Sequence, residues 1–134
     1  MADGQGLPLA DQISAANVND GTLLETMVDA IAPIKRPRGR PRQRPDKLHG
    51  DKAYASRQNR ACLRQRGIAC RIARKGIESR ERLGRFRWVV ERTQAWLSGF
   101  RRLDVRYERR PEIHQAFLDL GCALICWHAL QATF

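Results

Sequence analysis

The sequence predicts an α/β fold in one domain covering residues 1–134. Three observations lead there. Short stretches that read as strands, bounded by turn residues, alternate with stretches of helical period. One stretch, Arg85 to Leu103, divides into two faces at spacings of three and four. A hydrophobic content of 43% in 134 residues is enough for one core.

Taken in order, Met1–Gly6 reads as a turn, with Asp3-Gly4 and a second glycine at Gly6. Leu7–Ala16 reads as a strand, with Pro8 near its start. A turn needs an incoming strand, so the reading expects a further segment upstream. Asn17–Gly21 is the next turn. Thr22 and Glu25 have capping-box spacing for a helix Leu23–Ile31, stopped by Pro33. Residues 35–45 form a basic Arg/Pro loop. Its prolines and alternating arginines argue against a packed core and favour an extended chain.

A short strand follows and ends at Asp51. Ser56 caps a helix Arg57–Arg66 that stops at Gly67, and Ile68–Ala73 alternates as another strand. The long helix starts near Ser79 or Glu81. Phe86, Val89, Val90, Thr93, Trp96, Leu97 and Phe100 share its apolar arc; Arg87, Glu91, Gln94 and Ser98 share the other. An Arg-rich connection spans Leu103–Tyr107. Pro111 opens a last helix with Glu112 in its first turn. Ile113, Phe117, Leu120, Leu124 and Trp127 form its apolar stripe, widened by Ala116, Cys122, Ile125 and Ala129, so this helix is expected to be largely buried.

Charge is unevenly placed. All 25 Lys and Arg residues lie in 35–110, against seven acids there, a local net charge of +18 within a total of +11. That is a surface for phosphates. The longest apolar run, Gly121–Leu130, is shorter than the roughly 20 residues a bilayer span needs, and no secretory signal is visible. The expectation is a cytoplasmic chain, with no membrane partner and reduced cysteines. Cys122 and Cys126, with His128 nearby, could face a zinc ion. The apolar context favours buried thiols instead.

Two carboxylates stand out. Asp51, at a strand end before a helix, is where α/β folds place functional groups, although a turn or cap residue looks the same in sequence. Glu91 is the only carboxylate between Glu81 and Asp104. It reads either as half of a weak Arg87–Glu91 surface pair or as a metal ligand beside DNA phosphates. Within the loop, Pro37-Arg-Gly-Arg-Pro41 resembles an AT-hook, which lays Arg-Gly-Arg along a narrow minor groove. The plainer alternative is non-specific phosphate contact.

Six strings carry a family resemblance: Asp3–Leu9, Ala16–Asp20, Pro45–Tyr54, Gly67-Ile68 followed by Arg71–Arg74, Arg87–Leu97, and Arg101–Arg109. In this order the chain resembles the C-terminal part of a bacterial insertion-sequence DDE transposase of the insertion-sequence-five family. The resemblance implies a ribonuclease H-like fold, partial here because its first strand is missing. It implies a catalytic domain that binds two Mg2+ (or Mn2+) ions through three carboxylates and cleaves and transfers DNA strands. Asp51 matches the second acid, Glu91 the third, and Arg87 the arginine of the signature around that glutamate. DNA contacts are expected from Arg36, Arg38, Arg40, Arg42, Arg44, Lys52, Arg87 and Arg92.

The departures are specific. Gly84 stands where the signature has Tyr, Ser98 where it has Lys or Arg, and Asn19-Asp20 where it has His-Asp. The first acid lies upstream in the family, and neither Asp3 nor Asp11 matches it. The expected partners are therefore DNA, an upstream transposase segment, and further copies when the enzyme is complete; the chain reads as the second frame of an element joined by frameshifting or as a truncated relic. By itself the chain is expected to be inactive. The alternative is a non-catalytic basic DNA-binding protein that regulates the full transposase.

Overall fold

The structure, a computed structural model, describes residues 1–35, 37–73 and 84–132. The expected helix start at Ser79 or Glu81, Arg36 and Arg74 lie outside the described residues. The chain divides into two compact units, residues 14–85 and residues 1–13 with 86–134.

In the first unit, a short 3-10 turn at Asp20–Leu23 runs into α1 (Leu24–Asp29). The expected capping box does not form. Asn19 takes the cap: its Oδ1 accepts from the Gly21 N–H at 2.8 Å, while the Thr22 hydroxyl donates back to the Asn19 carbonyl at 2.7 Å. A short side chain two residues from an open N–H closes this turn more readily than Thr22 can. The helix ends at Asp29, four residues before Pro33.

The basic loop is closed rather than extended. Ile34 and Arg42 exchange both backbone hydrogen bonds, at 2.7 and 2.8 Å, and Gly39 supplies a left-handed residue with φ of 89°.

β1 (Lys47–Gly50), α2 (Arg57–Gln65) and β2 (Ala69–Ile72) form a βαβ unit. The strands are parallel, with Lys47 opposite Ala69 and Gly50 opposite Ile72. Local signals work here as read. The Ser56 hydroxyl accepts from the Asn59 N–H at 3.0 Å. Gly67, with φ of 69°, ends the helix and lets the Ile68 N–H reach the Leu63 carbonyl at 2.8 Å. Leu24, Val28, Ile31, Leu48, Cys62, Leu63, Ile68, Ile72 and Ala73 are buried, Leu63 completely.

In the second unit, the expected strand Leu7–Ala16 is reduced to one antiparallel bridge, Ala2 to Pro8, closing the turn at Gly6. The rest of the segment finds other partners. The Leu9 N–H donates to the Met1 carbonyl, and the Ile13 N–H to the Gln115 Oε1 at 2.7 Å. α3 (Gly84–Ser98), α4 (Arg101–Asp104) and α5 (Pro111–Gln131) complete this unit. Four residues expected as connection or helix end are thus a short helix of their own. Pro111 opens α5 as expected.

α5 is less buried than expected. Of the widened stripe only Cys122 and Ile125 are buried, with Gly121 beside them, whereas Ile113, Leu120 and Trp127 are exposed. The helix is apolar on nearly all sides, so its period cannot choose a face; contact does. A Cβ on Gly121 would lie 2.9 Å from Leu103 Cδ1 and 3.4 Å from Leu97 Cδ2 and Phe100 Cδ2, so α5 crosses the α3–α4 corner at that glycine. On α3, Val89, Thr93 and Leu97 are half-buried, as is Phe100 just before α4, but Val90 and Trp96 are exposed.

The run read as too short for a bilayer lies inside α5. That helix, with 21 residues and mean hydropathy 1.3, is long and apolar enough to span one by length and composition alone. One such helix is weak support for a span, and here its Gln115 is tied to the N-terminal segment: Nε2 donates to Asp11 Oδ1 at 2.9 Å and Oε1 accepts from the Ile13 N–H at 2.7 Å. The described residues form a mixed α/β structure with one two-stranded parallel sheet.

Candidate carboxylates and nucleic-acid surface

Asp51 sits one residue past β1, at the carboxyl end of a parallel strand. That end of a βαβ unit collects helix N-termini and connecting loops, so side chains there are free to face a ligand. Asp51 is exposed and caps a 3-10 turn, Lys52–Tyr54: its carboxylate accepts from the Lys52 N–H, and the Tyr54 N–H donates to its carbonyl at 3.0 Å. Of the two readings left open by the sequence, the cap is formed, at a strand end that leaves the carboxylate exposed.

The turn carrying Asp20 packs against this one. A Cβ on Gly21 would lie 3.0 Å from the Ala53 carbonyl oxygen. Between the two turns sits Asn59, which is buried; its amide Nδ2 donates to the Gly21 carbonyl at 2.8 Å and to the Tyr54 carbonyl at 3.1 Å. Burial, and then the negative charges of Asp20 and Asp51, raise the Tyr54 phenol above its ordinary pKa. His49, two residues before Asp51, is lowered by burial and by the cations Lys47 and Arg71. Tyr54 and Asn59 were not singled out from the sequence, and Asp20 entered only within Asn19-Asp20, in place of the family's His-Asp. Only Asn59 carried a signal: a polar residue on the arc it shares with Cys62 and Leu63.

In the other unit, Glu91 is exposed on α3, and Arg87 Nε lies 3.3 Å from its Oε1 with both side chains largely in solvent. The surface pair is thus formed. An exposed pair of this kind is weak and easily exchanged for another partner. Arg92 lies over Trp88, 4.4 Å from the ring centroid, and 5.7 Å from that of Trp96. Thr93 Oγ1 donates to the Gly6 carbonyl at 2.7 Å, tying the N-terminal turn to the helix that bears Glu91.

The expected DNA contacts divide by occupation. Arg38, Arg40 and Arg44 are exposed on the closed loop. Arg42 is half-buried and engaged, with its guanidinium on Asp46 and its Nε on the Arg44 carbonyl. Lys52 is half-buried, while Arg87 and Arg92 are exposed. Several basic residues outside the expected set serve the fold. Arg66 binds Glu25 and Asp29, and Arg60 Nη2 donates to the Ile72 carbonyl at 2.7 Å.

Asp51 and Glu91 offer exposed carboxylate oxygens, the hard donors that Mg2+ and Mn2+ take. The donor chemistry fits a divalent ion. Among the described residues no three His, Cys, Asp or Glu side chains gather at one point. All four cysteines are free thiols. Burial, with Asp11 beside it, pushes Cys122 up to about 12.

Residues 1–126 match the family model described as a transposase DDE domain. A Burkholderia cepacia protein assigned as the transposase for insertion sequence element IS402 is 52% identical over 131 residues, which is 98% of this chain. The chain spans 62% of that relative's length. No solved structure matches the chain. A domain match over nearly the whole chain, reinforced by this identity, has one consequence: the chain belongs to the DDE transposase domain family.

Proposed function

We propose that this chain is the C-terminal part of an insertion-sequence transposase of the insertion-sequence-five family. In this reading its two units are parts of one ribonuclease H-like catalytic domain. Asp51 and Glu91 are two of three acidic metal ligands. The third acid belongs to transposase sequence outside residues 1–134, joined to this chain directly or by frameshifting. The observation that carries the reading is the position of Asp51, exposed at the carboxyl end of a parallel strand inside a matched DDE domain.

Divalent ions, when bound, would activate the attacking oxygen and neutralise charge on the scissile phosphate. The chain's own residues have separate work. Asp51 and Glu91 supply oxygen ligands from a capped turn and from a helix face. Arg87, paired here with Glu91, would be free to meet a phosphate if Glu91 held a metal ion. Arg38, Arg40, Arg44, Lys52 and Arg92 hold the DNA backbone by charge, without reading sequence. The place of action is the bacterial cytoplasm, where the element's DNA lies.

Strand cleavage by the complete transposase tests this reading. Mg2+-dependent cleavage of element ends is expected, and Asp51→Asn or Glu91→Gln is expected to abolish it. Retained cleavage in both variants would overturn the assignment.

A further inference from the structure

Asn59 lies in the first turn of α2, three residues past the Ser56 cap, yet it is buried on the same arc as Cys62 and Leu63. An apolar residue would be the ordinary choice at a position so enclosed. A buried amide is kept only where its hydrogen bonds are met, because an unmet polar group costs about 1–3 kcal/mol. Both amide hydrogens are used: one bond goes 38 residues back in sequence to the Gly21 carbonyl, the other five residues back to the Tyr54 carbonyl.

Each acceptor belongs to a turn that bears a carboxylate. Gly21 follows Asp20, and Tyr54 closes the turn that Asp51 caps. The Tyr54 carbonyl also accepts from the Ser56 N–H at 2.9 Å, so the same oxygen joins the Asp51 turn to the start of α2. Gly21 completes the arrangement by leaving room: an added Cβ would meet the Ala53 carbonyl at 3.0 Å and the Asn19 Oδ1 at 3.1 Å. Two independent features, a two-armed amide and a missing side chain, thus hold one register between these turns.

We propose that Asn59 is a positioning residue, which sets the Asp51 carboxylate for its ligand by clamping the Asp51 and Asp20 turns together through their backbone carbonyls. The function of the clamp rests on the metal-ligand reading of Asp51; the clamp itself does not. Metal ligands tolerate little displacement, and a carboxylate on an exposed turn gains its precision from what holds the turn. Asn59 touches neither substrate nor metal in this arrangement.

The test uses amide hydrogen exchange on the 134-residue chain and Mg2+ titration of cleavage by the complete transposase. Asn59→Asp keeps size and shape but points a carboxylate at two carbonyl oxygens; Asn59→Leu removes the donors; Gly21→Ala leaves Asn59 intact and wedges the turns apart. Each is expected to speed exchange at Tyr54 and Ala55, whose N–H groups close the Asp51 turn, by about tenfold or more, while Leu63 and Ile68 stay protected. In the complete enzyme each is expected to raise the Mg2+ concentration for half-maximal cleavage several-fold, with smaller loss at saturating Mg2+. Unchanged exchange at Tyr54 and Ala55 in all three variants would overturn the clamp. Faster exchange with an unchanged Mg2+ requirement would overturn its positioning role. Full cleavage by Asp51→Asn would instead remove the metal-ligand reading and leave the exchange result standing.

Discussion

Arg66 grips Asp29 with two prongs: Nε lies 2.9 Å from Oδ1 and Nη2 lies 2.6 Å from Oδ2. The same Nη2 reaches Glu25 Oε1 at 2.8 Å, so one guanidinium at the end of α2 holds two carboxylates of α1. A planar fork on a carboxylate is the strong form of such a contact, and lysine cannot reproduce it. The hydrogen bond to Arg66, above all, lowers Asp29 below its ordinary value of 3.8.

The sign of the pH effect follows from that depression. A carboxylate lowered in the folded state adds stability above its unfolded pKa, and the contribution fades as pH falls through the folded value. The thermal midpoint of the unit holding residues 14–85 is expected to drop in acid below about pH 4. Asp29→Asn is expected to flatten that drop, and Arg66→Lys to lower the midpoint at neutral pH. Melting curves across pH check both.

Leu63 is fully buried between α2 and its neighbours. Leu63→Ala is expected to cost about 2–5 kcal/mol through lost transfer energy and an unfilled cavity. That is a large share of a typical domain's stability. Urea denaturation measures it, with an unchanged slope if the unfolded state is not altered.

Gly121 tests the crossing of α5 over α3 and α4. A glycine in a helix interior forgoes about 1 kcal/mol against alanine. The added Cβ of Gly121→Ala would meet Leu103 Cδ1 at 2.9 Å, the movable end of a side chain. The two effects nearly cancel, so a change within about 1 kcal/mol is expected. Gly121→Leu cannot be absorbed this way and is expected to cost more than about 2 kcal/mol. Equal stability of the two variants in denaturant titrations would mean that the helices do not cross closely there.

The closed basic loop makes a graded prediction for DNA. Arg38 and Arg40 are exposed, whereas Arg42 is held by Asp46. Each phosphate contact contributes about 0.9 to the slope of log K against log salt. Arg38→Ala with Arg40→Ala is expected to reduce that slope by up to about 2, and Arg42→Ala by less. Fluorescence anisotropy with duplexes of differing A·T content measures the slope. It also separates minor-groove reading from plain charge: preference for A·T-rich duplex, lost with Arg38 and Arg40, marks the former.

The features legible in the sequence were those set within one turn of chain. Ser56 caps α2, Gly67 ends it and Pro111 opens α5, because each acts on backbone groups a few residues away. Asp51 at a strand end was legible for the same reason: alternation, then a break, then a cap. The Thr22–Glu25 spacing misled because Asn19 competes for the same turn, and propensity does not rank two local solutions. Only the tertiary structure decided which face of α5 is buried, since an almost wholly apolar helix carries no usable period and Gly121 selects its face by close approach. It also sorted the arginines, sending Arg66 to two acids of α1 and leaving Arg38 and Arg40 in solvent, because identical side chains differ only in what folding brings near them. And it gave Asn59 its meaning, because the carbonyls that justify a buried amide come from Gly21 and Tyr54, which meet only when the two turns are packed together.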